Sequence, residues 1–306
     1  MGRHLASLLK ASGHEVHGIA RDAAPRGVAT HTACDVRNKE AIDKVLATIN
    51  PELIFHLAGF ASARQAMESP LECWDVNVRG TVNLLEAATH HCPRASIVLV
   101  GSGMQYGIVR NSEQPIRESE PMQPREPYGA SKAAAELAGM QWAFSHDFRV
   151  VLLRAFNATG PGQSPDFFCS DFAQQVARIE RGLQGPVIAT GDLTVARDLL
   201  DVRDVAVALS VAAERCHPGH PYNVCTGTAI SVGDVLEALR SMARTQFEVR
   251  TDSGKIRKID IPVLRGDSTE FRTATGWQPR IPLRETLQDL LNFWRQSIGA
   301  SDVRRS

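Results

Sequence analysis

The chain has 306 residues, 43% of them hydrophobic, enough to bury one large α/β core. Its 34 basic and 34 acidic residues cancel, so no net field draws it to nucleic acid or to an anionic membrane. No apolar run approaches the roughly 20 residues of a membrane span, and the six scattered cysteines, without C-x-x-C spacing, read as free thiols of a reducing cytoplasm rather than disulfides or a metal site.

Residues 2–9 read as the first turns of an amphipathic helix, and "EVHGIA" (15–20) reads as a strand. Helical patterns over 38–49, 71–91 and 128–145 then alternate with the aliphatic runs "ELIFHLAG" (52–59), "ASIVLVGS" (95–102) and "FRVVLLRAFN" (148–157). Continuous apolar strands alternating with helices predict a parallel, doubly wound sheet covered on both faces. In such a sheet ligands bind beyond the carboxyl ends of the strands. After Asn157 the texture changes with the Gly/Pro-rich "ATGPGQSPDF". A helix over 167–181, strands in "GPVIAT" and "PYNVCTG", a helix over 231–243, the strand "FEVRT" and a last helix over 283–297 follow. The chain therefore divides into residues 1–157, carrying the sheet, and residues 158–306, a smaller lobe interleaved with it.

The strongest chemical signal is "PYGASKAAAEL". Tyr128 and Lys132 are four residues apart, on one face of a helix. A phenol with its usual pKa of about 10 is a poor acid or base near neutrality. The expectation is that the Lys132 ammonium lowers it into the working range. "VLVGSGMQYG" puts Ser102 at the end of a buried strand, where its hydroxyl can hold a carbonyl oxygen while Tyr128 supplies a proton. Each feature alone also has a bland reading, an exposed Tyr–Lys pair or a serine capping a glycine-shaped turn. The ordered set argues for catalysis over a dinucleotide- or nucleotide-sugar-sensing protein of the same fold, which would have no need of an activated tyrosine.

With these residues in this order, the chain resembles the extended short-chain dehydrogenase/reductases that act on nucleotide sugars. "IFHLAG", "DVNVRGTVNLLEAA", "YGASK" and "ACDVRN" resemble that family's motifs in order and spacing. The resemblance implies a Rossmann-like domain whose cofactor is lined by Leu57, Ala58 and Gly59, with Asp35 and Val36 touching adenine. "LRAFNATGPGQSPDFF", "RDLLDVRDVAVAL" and "YNVCTG" look closest to the GDP-4-keto-6-deoxy-D-mannose reductases, relatives of the GDP-mannose 4,6-dehydratases. In those enzymes the residues matching Asn157 and Arg197 contact the nucleotide diphosphate, which suits an amide donor and a guanidinium fork. The bland alternatives are ion pairs of Arg197 with Asp198 and of Arg203 with Asp204. Such reductases often carry histidine where this chain has Ala158.

Dehydration needs a base, which dehydratases place where this chain has Met104, and a thioether takes no proton at neutral pH. Glu113 lies further along that loop. The resemblance therefore implies reduction of a 4-keto sugar, with epimerisation open on the catalytic set alone. At the end of the first strand Ala20 stands where NAD-preferring relatives carry an acid, and Arg21 can meet a 2′-phosphate, which favours NADPH with NADH as the alternative. Family members commonly dimerise through two helices, here 71–91 and 128–145. Gly2 matches the third glycine of the family's G-x-x-G-x-x-G turn, so the resemblance implies a strand and two further glycines encoded upstream of Met1.

Overall fold

The computed structural model describes residues 1–21, 30–108, 115–256 and 261–302. The first half runs α1 (Gly2–Ala11), β1 (His17–Ala20), β2 (Thr30–Ala33), α2 (Lys39–Ile49), β3 (Leu53–His56), α3 (Ala63–Glu68) and α4 (Pro70–Trp74). It continues with α5 (Gly80–His91), β4 (Ser96–Ser102), α6 (Pro127–Ser145) and β5 (Arg149–Ala155). The second half adds β6 (Asn157–Thr159), α7 (Phe168–Glu180), β7 (Val187–Thr190), β8 (Ala196–Asp201), α8 (Val202–Arg215) and β9 (Pro221–Val224). It ends with β10 (Ala229–Ser231), α9 (Val232–Met242), β11 (Glu248–Thr251), β12 (Val263–Leu264), α10 (Thr269–Thr275) and α11 (Leu283–Asp302).

The main sheet is parallel throughout, in the order β3–β4–β5–β9. Its two central strands carry the fully buried run Val150–Leu153 and the buried Ile97–Leu99, residues that need an apolar cover on both sides. On one face Leu5 and Leu9 of α1 and Val205 and Leu209 of α8 pack on Val98 and Val151. On the other, Ile42, Leu46 and Leu85 from α2 and α5 pack on Ile97 and Val150. Strands β1 and β2 form a separate parallel pair, and among the described residues no ladder joins β1 to β3. Strand β9 comes from beyond residue 157 yet pairs with β5, so the chain crosses back into the first sheet.

The helix over 71–91 is not uniform. α4 passes through a π-helical turn, Asp75–Arg79, before α5, and Asn77 lies in that turn, buried. Residues 196–201 carry Arg197, Asp198 and Asp201, a composition that does not announce a strand, yet they form β8 at the centre of the second lobe. It is flanked by β10 and β12 and, at its far end, by β6. The lobe's own core gathers α7, α9 and α11, with Phe172, Leu236 and Leu290 buried together. All six cysteines are free and buried, as their scatter suggests. Among the described residues no helix is long and apolar enough to cross a membrane.

Candidate active site

Helix α6 begins at Pro127 because the Glu126 carboxylate caps it, accepting from Tyr128 N at 2.8 Å and Gly129 N at 2.6 Å. This start sets Tyr128 in the first turn and Lys132 one turn later, on the same face. Strand β4 ends at Ser102 and turns into a short 3₁₀ segment, Gly103–Gln105, capped by the Ser102 hydroxyl, which accepts from Met104 N at 3.2 Å. The Ser102 hydroxyl lies close enough to the Tyr128 phenol to favour its ionised form. Lys132 donates from Nζ to Val100 O at 2.9 Å, which anchors the ammonium at the same strand end. The three residues singled out from the sequence thus meet at one edge of the sheet.

Their electrostatics correct one expectation. Burial pushes the Tyr128 phenol up to about 12, against the lowering effect of the Ser102 hydroxyl. Lys132 is not what sets the tyrosine's proton affinity: burial pushes the ammonium itself down to about 8, and it points at a carbonyl. A phenol at 12 is held protonated at neutral pH. It can still give its proton to a nascent alkoxide, whose conjugate acid lies near the roughly 15.7 of bulk water.

Asn77, His56 and Thr81, which the sequence reading did not single out by number, support these residues. Asn77 donates from Nδ2 to Ser131 Oγ at 2.8 Å and accepts from Phe60 N at 2.8 Å, tying the segment after β3 to α6. Its position in a π-helical turn has no reliable sequence signal. Gly59 lies so close that an added Cβ would sit 2.7 Å from Asn77 Oδ1 and 3.3 Å from Lys132 Nζ. His56 is buried, and burial, with Lys132 nearby, depresses it to about 3. The Thr81 hydroxyl donates to Asn77 O at 2.6 Å, so in the 3.0 Å His56–Thr81 contact the imidazole Nε2–H is the donor.

The other expected residues lie as follows. Gly2 opens α1 beside Leu57. Leu57, Ala58 and Gly59 follow β3, and the exposed Arg21 follows β1. Asp35 lies just past β2, its carboxylate forked by Arg37 Nε at 3.0 Å and Nη2 at 2.6 Å, a bond that holds its pKa below the usual range. Val36 presses on Gly80 of α5. Arg21, Asp35 and Leu57–Gly59 thus stand at or just past the carboxyl ends of β1, β2 and β3, and Lys132 reaches the end of β4 through Val100 O; of these the Arg21 guanidinium and the Lys132 ammonium are groups that can donate to a phosphate or to ribose hydroxyls.

Asn157 and Arg197 stand on the paired strands β6 and β8. Arg197 is buried and donates from Nη1 to Ala196 O at 2.8 Å and Ile261 O at 2.7 Å. It is no surface ion pair with Asp198, whose carboxylate instead accepts from Thr226, Gly227 and Gly266. Arg203 is an ion-pair residue, but its partners are Asp201 at 2.7 Å and Asp289 at 2.8 Å, because Asp204 is spent on Arg280 N and Ile281 N. Ala158 is half-buried in β6, and Met104 sits in the turn after Ser102. Glu113 lies outside the described residues.

Comparison with known proteins agrees with this geometry. A family model described as GDP-mannose 4,6 dehydratase matches residues 1–290. The GDP-6-deoxy-D-mannose reductase of Pseudomonas aeruginosa is 34% identical over 248 residues, covering 81% of this chain and 82% of the relative. The structure of RMD from Pseudomonas aeruginosa complexed with NADPH superposes with a TM-score of 0.84 at 30% identity, over 97% of this chain and 95% of that one. The Thermus thermophilus UDP-glucose 4-epimerase in complex with NAD gives 0.85 at 29% identity, over 96% and 95%.

Proposed function

Because the chain belongs to the GDP-mannose 4,6 dehydratase family, within the extended short-chain dehydrogenase/reductases, we propose that it reduces the 4-keto group of GDP-4-keto-6-deoxy-D-mannose to a GDP-6-deoxyhexose with NADPH. The observation that supports this reading is a site that, among the described residues, has an acid but no free base. Ser102, Tyr128 and Lys132 are assembled, Met104 replaces the dehydratase glutamate, and the carboxylate beside Tyr128, Glu126, is committed to the start of α6. The similarity to a named GDP-6-deoxy-D-mannose reductase points the same way.

When bound, the dinucleotide would supply a hydride to C4. Ser102 then holds the C4 oxygen through its hydroxyl, and Tyr128 delivers the phenolic proton as negative charge develops there. Burial, which keeps that phenol protonated, suits the reducing direction. Lys132 binds the nicotinamide ribose and brings a positive charge to the strand end. Leu57, Ala58 and Gly59 line the dinucleotide, Asp35 and Val36 face adenine, Gly2 approaches the pyrophosphate at the start of α1, and Arg21 meets the 2′-phosphate. Asn157 and Arg197 hold the diphosphate of the sugar nucleotide. Residues 1–157 thus form the cofactor domain and residues 158–306 mainly the sugar-nucleotide lobe.

Two further features belong to this reading. Leu71 and Trp74 of α4 and Leu137 of α6 are exposed by 83%, 42% and 53% on helices that pack side by side, and a second copy of the chain covers them in a homodimer. Free buried thiols suit a cytoplasmic enzyme. The test is to incubate the protein with NADPH and freshly made GDP-4-keto-6-deoxy-D-mannose. NADPH oxidation with stoichiometric GDP-6-deoxyhexose is expected, and NMR of the product reads the C4 configuration. Epimerised or dehydrated sugar without net NADPH consumption would reject the assignment.

A further inference from the structure

Beneath the Ser102 turn runs a buried polar chain that the reaction above does not use. Arg154 of β5 forks the Glu136 carboxylate of α6, with Nη2 2.6 Å from Oε1 and Nε 2.9 Å from Oε2. Glu136 Oε2 accepts from Gln105 Nε2 at 2.8 Å, and Gln105 Oε1 accepts from the Ser102 backbone N–H at 2.5 Å. Behind it, Arg154 Nη1 donates to Tyr106 Oη at 2.8 Å and Tyr106 donates to Asn223 Oδ1 at 2.7 Å. Gln105, Glu136, Arg154, Tyr106 and Asn223 are all buried.

We infer that Gln105 is a positioning residue for Ser102, oriented by the Glu136–Arg154 pair. The argument starts from what each group can do. A guanidinium only donates and a carboxylate only accepts, so the buried pair fixes which end of the Gln105 amide turns toward Glu136. The NH₂ must face the carboxylate, and the amide oxygen is left for the Ser102 N–H. A glutamine next to water would have no such preference. The chain therefore ends on the backbone of the residue whose hydroxyl meets Tyr128.

Glu136 also lies one helical turn beyond Lys132 and two beyond Tyr128, on the same face of α6. One rigid helix thus carries the proton donor and the anchor that fixes the height of the strand end opposite it. Residue 101 has room for this only as glycine, because an added Cβ would collide with the Gln105 side-chain oxygen. If the pair served only to pin α6 to β5, the bidentate Arg154–Glu136 contact would suffice and Gln105 would have no part in it.

The inference rests on Ser102 acting on the C4 oxygen as proposed above, and it is testable at three levels in the full-length protein. Gln105→Leu keeps the volume but not the polarity. It should lower kcat by about 100-fold, the order of loss for small misplacement of a reacting group, with KM for the keto sugar within about twofold. Unchanged kcat, or kcat and KM degraded together with the melting temperature, would overturn the inference.

Gln105→Glu supplies a pH signature. With one proton shared between the new carboxyl and Glu136, the acid donates to Glu136 while its carbonyl accepts from Ser102. Once that proton is lost the two carboxylates repel. The variant should therefore be active at low pH and lose kcat as pH rises through an acid-range pKa where wild type is flat; a wild-type profile rejects the idea. Hydrogen exchange of the Ser102 amide, measured without substrate, separates the two hypotheses. If wild type fails to reduce the keto sugar, the reaction assignment falls. Faster Ser102 exchange in Gln105→Leu would still support the positioning role, and unchanged exchange would end it.

Discussion

Strands β4 and β5, which lead to Ser102 and Arg154, are buried over most of their length, whereas β1 and β2, which lead to Arg21 and Asp35, are half-buried or exposed throughout. The first pair lies at the centre of a four-stranded sheet with helices on both faces; the second is a two-stranded ladder of four residue pairs. Two strands alone are marginal in water, while a central pair under helices is among the last parts of a protein to open. The proposed proton transfer thus belongs to the stiff end of the site. The segment proposed to meet adenine is a two-stranded ribbon whose anchors, such as the Asp35–Arg37 fork, are close in sequence and partly solvated.

Tyr128→Phe should produce the largest effect, a loss of about 10³-fold or more in turnover, while calorimetry finds sugar-nucleotide binding within about twofold of wild type. Next is the buried pair, whose side chains are only 4% and 3% exposed. Glu136→Leu strands the Arg154 charge and should cost about 3–5 kcal/mol in urea unfolding, and adding Arg154→Met should restore most of it. A small loss in the single variant would break the contrast between a stiff and a pliant end.

The pH dependence sharpens it further. With Lys132 lowered from the usual 10.5 to about 8, kcat/KM should fall about tenfold per unit above pH 8. Between 8 and 10.5 the unfolded chain binds more protons at this group than the folded one, so its contribution to stability rises with pH across the same window. Activity lost there while the fold holds therefore reports the ammonium at the site. The smallest effect belongs to the pliant end: Arg21→Ala should raise KM for NADPH by about tenfold, the value of one charge-assisted contact, and leave NADH unchanged.

Much of this was legible in the chain itself. The apolar runs that became β3, β4 and β5 and the Tyr128–Lys132 spacing are local patterns, and each fell where its pattern placed it. So was Ser102-x-x-Gln105, in principle, since S-x-x-Q is a capping-box signature and Gln105 does close one with Ser102. Strand β8 was not legible, because a buried strand reading "ARDLLD" makes sense only once its partners are known. Asp198 is satisfied by Thr226, Gly227 and Gly266, from loops between 28 and 68 residues away.

By itself, then, the amino-acid sequence determined the layered α/β architecture, the Ser102, Tyr128 and Lys132 set proposed for catalysis and the thioether at position 104, since hydrophobic period, helical spacing and side-chain chemistry are properties of neighbours along the chain. Tertiary structure alone decided that Tyr128 is pushed up rather than down, that Arg203 pairs with Asp201 and Asp289, and that Gln105 is aimed by Glu136 and Arg154. Desolvation depends on everything packed around a group, and a buried ion pair forms between whichever charges the fold brings together.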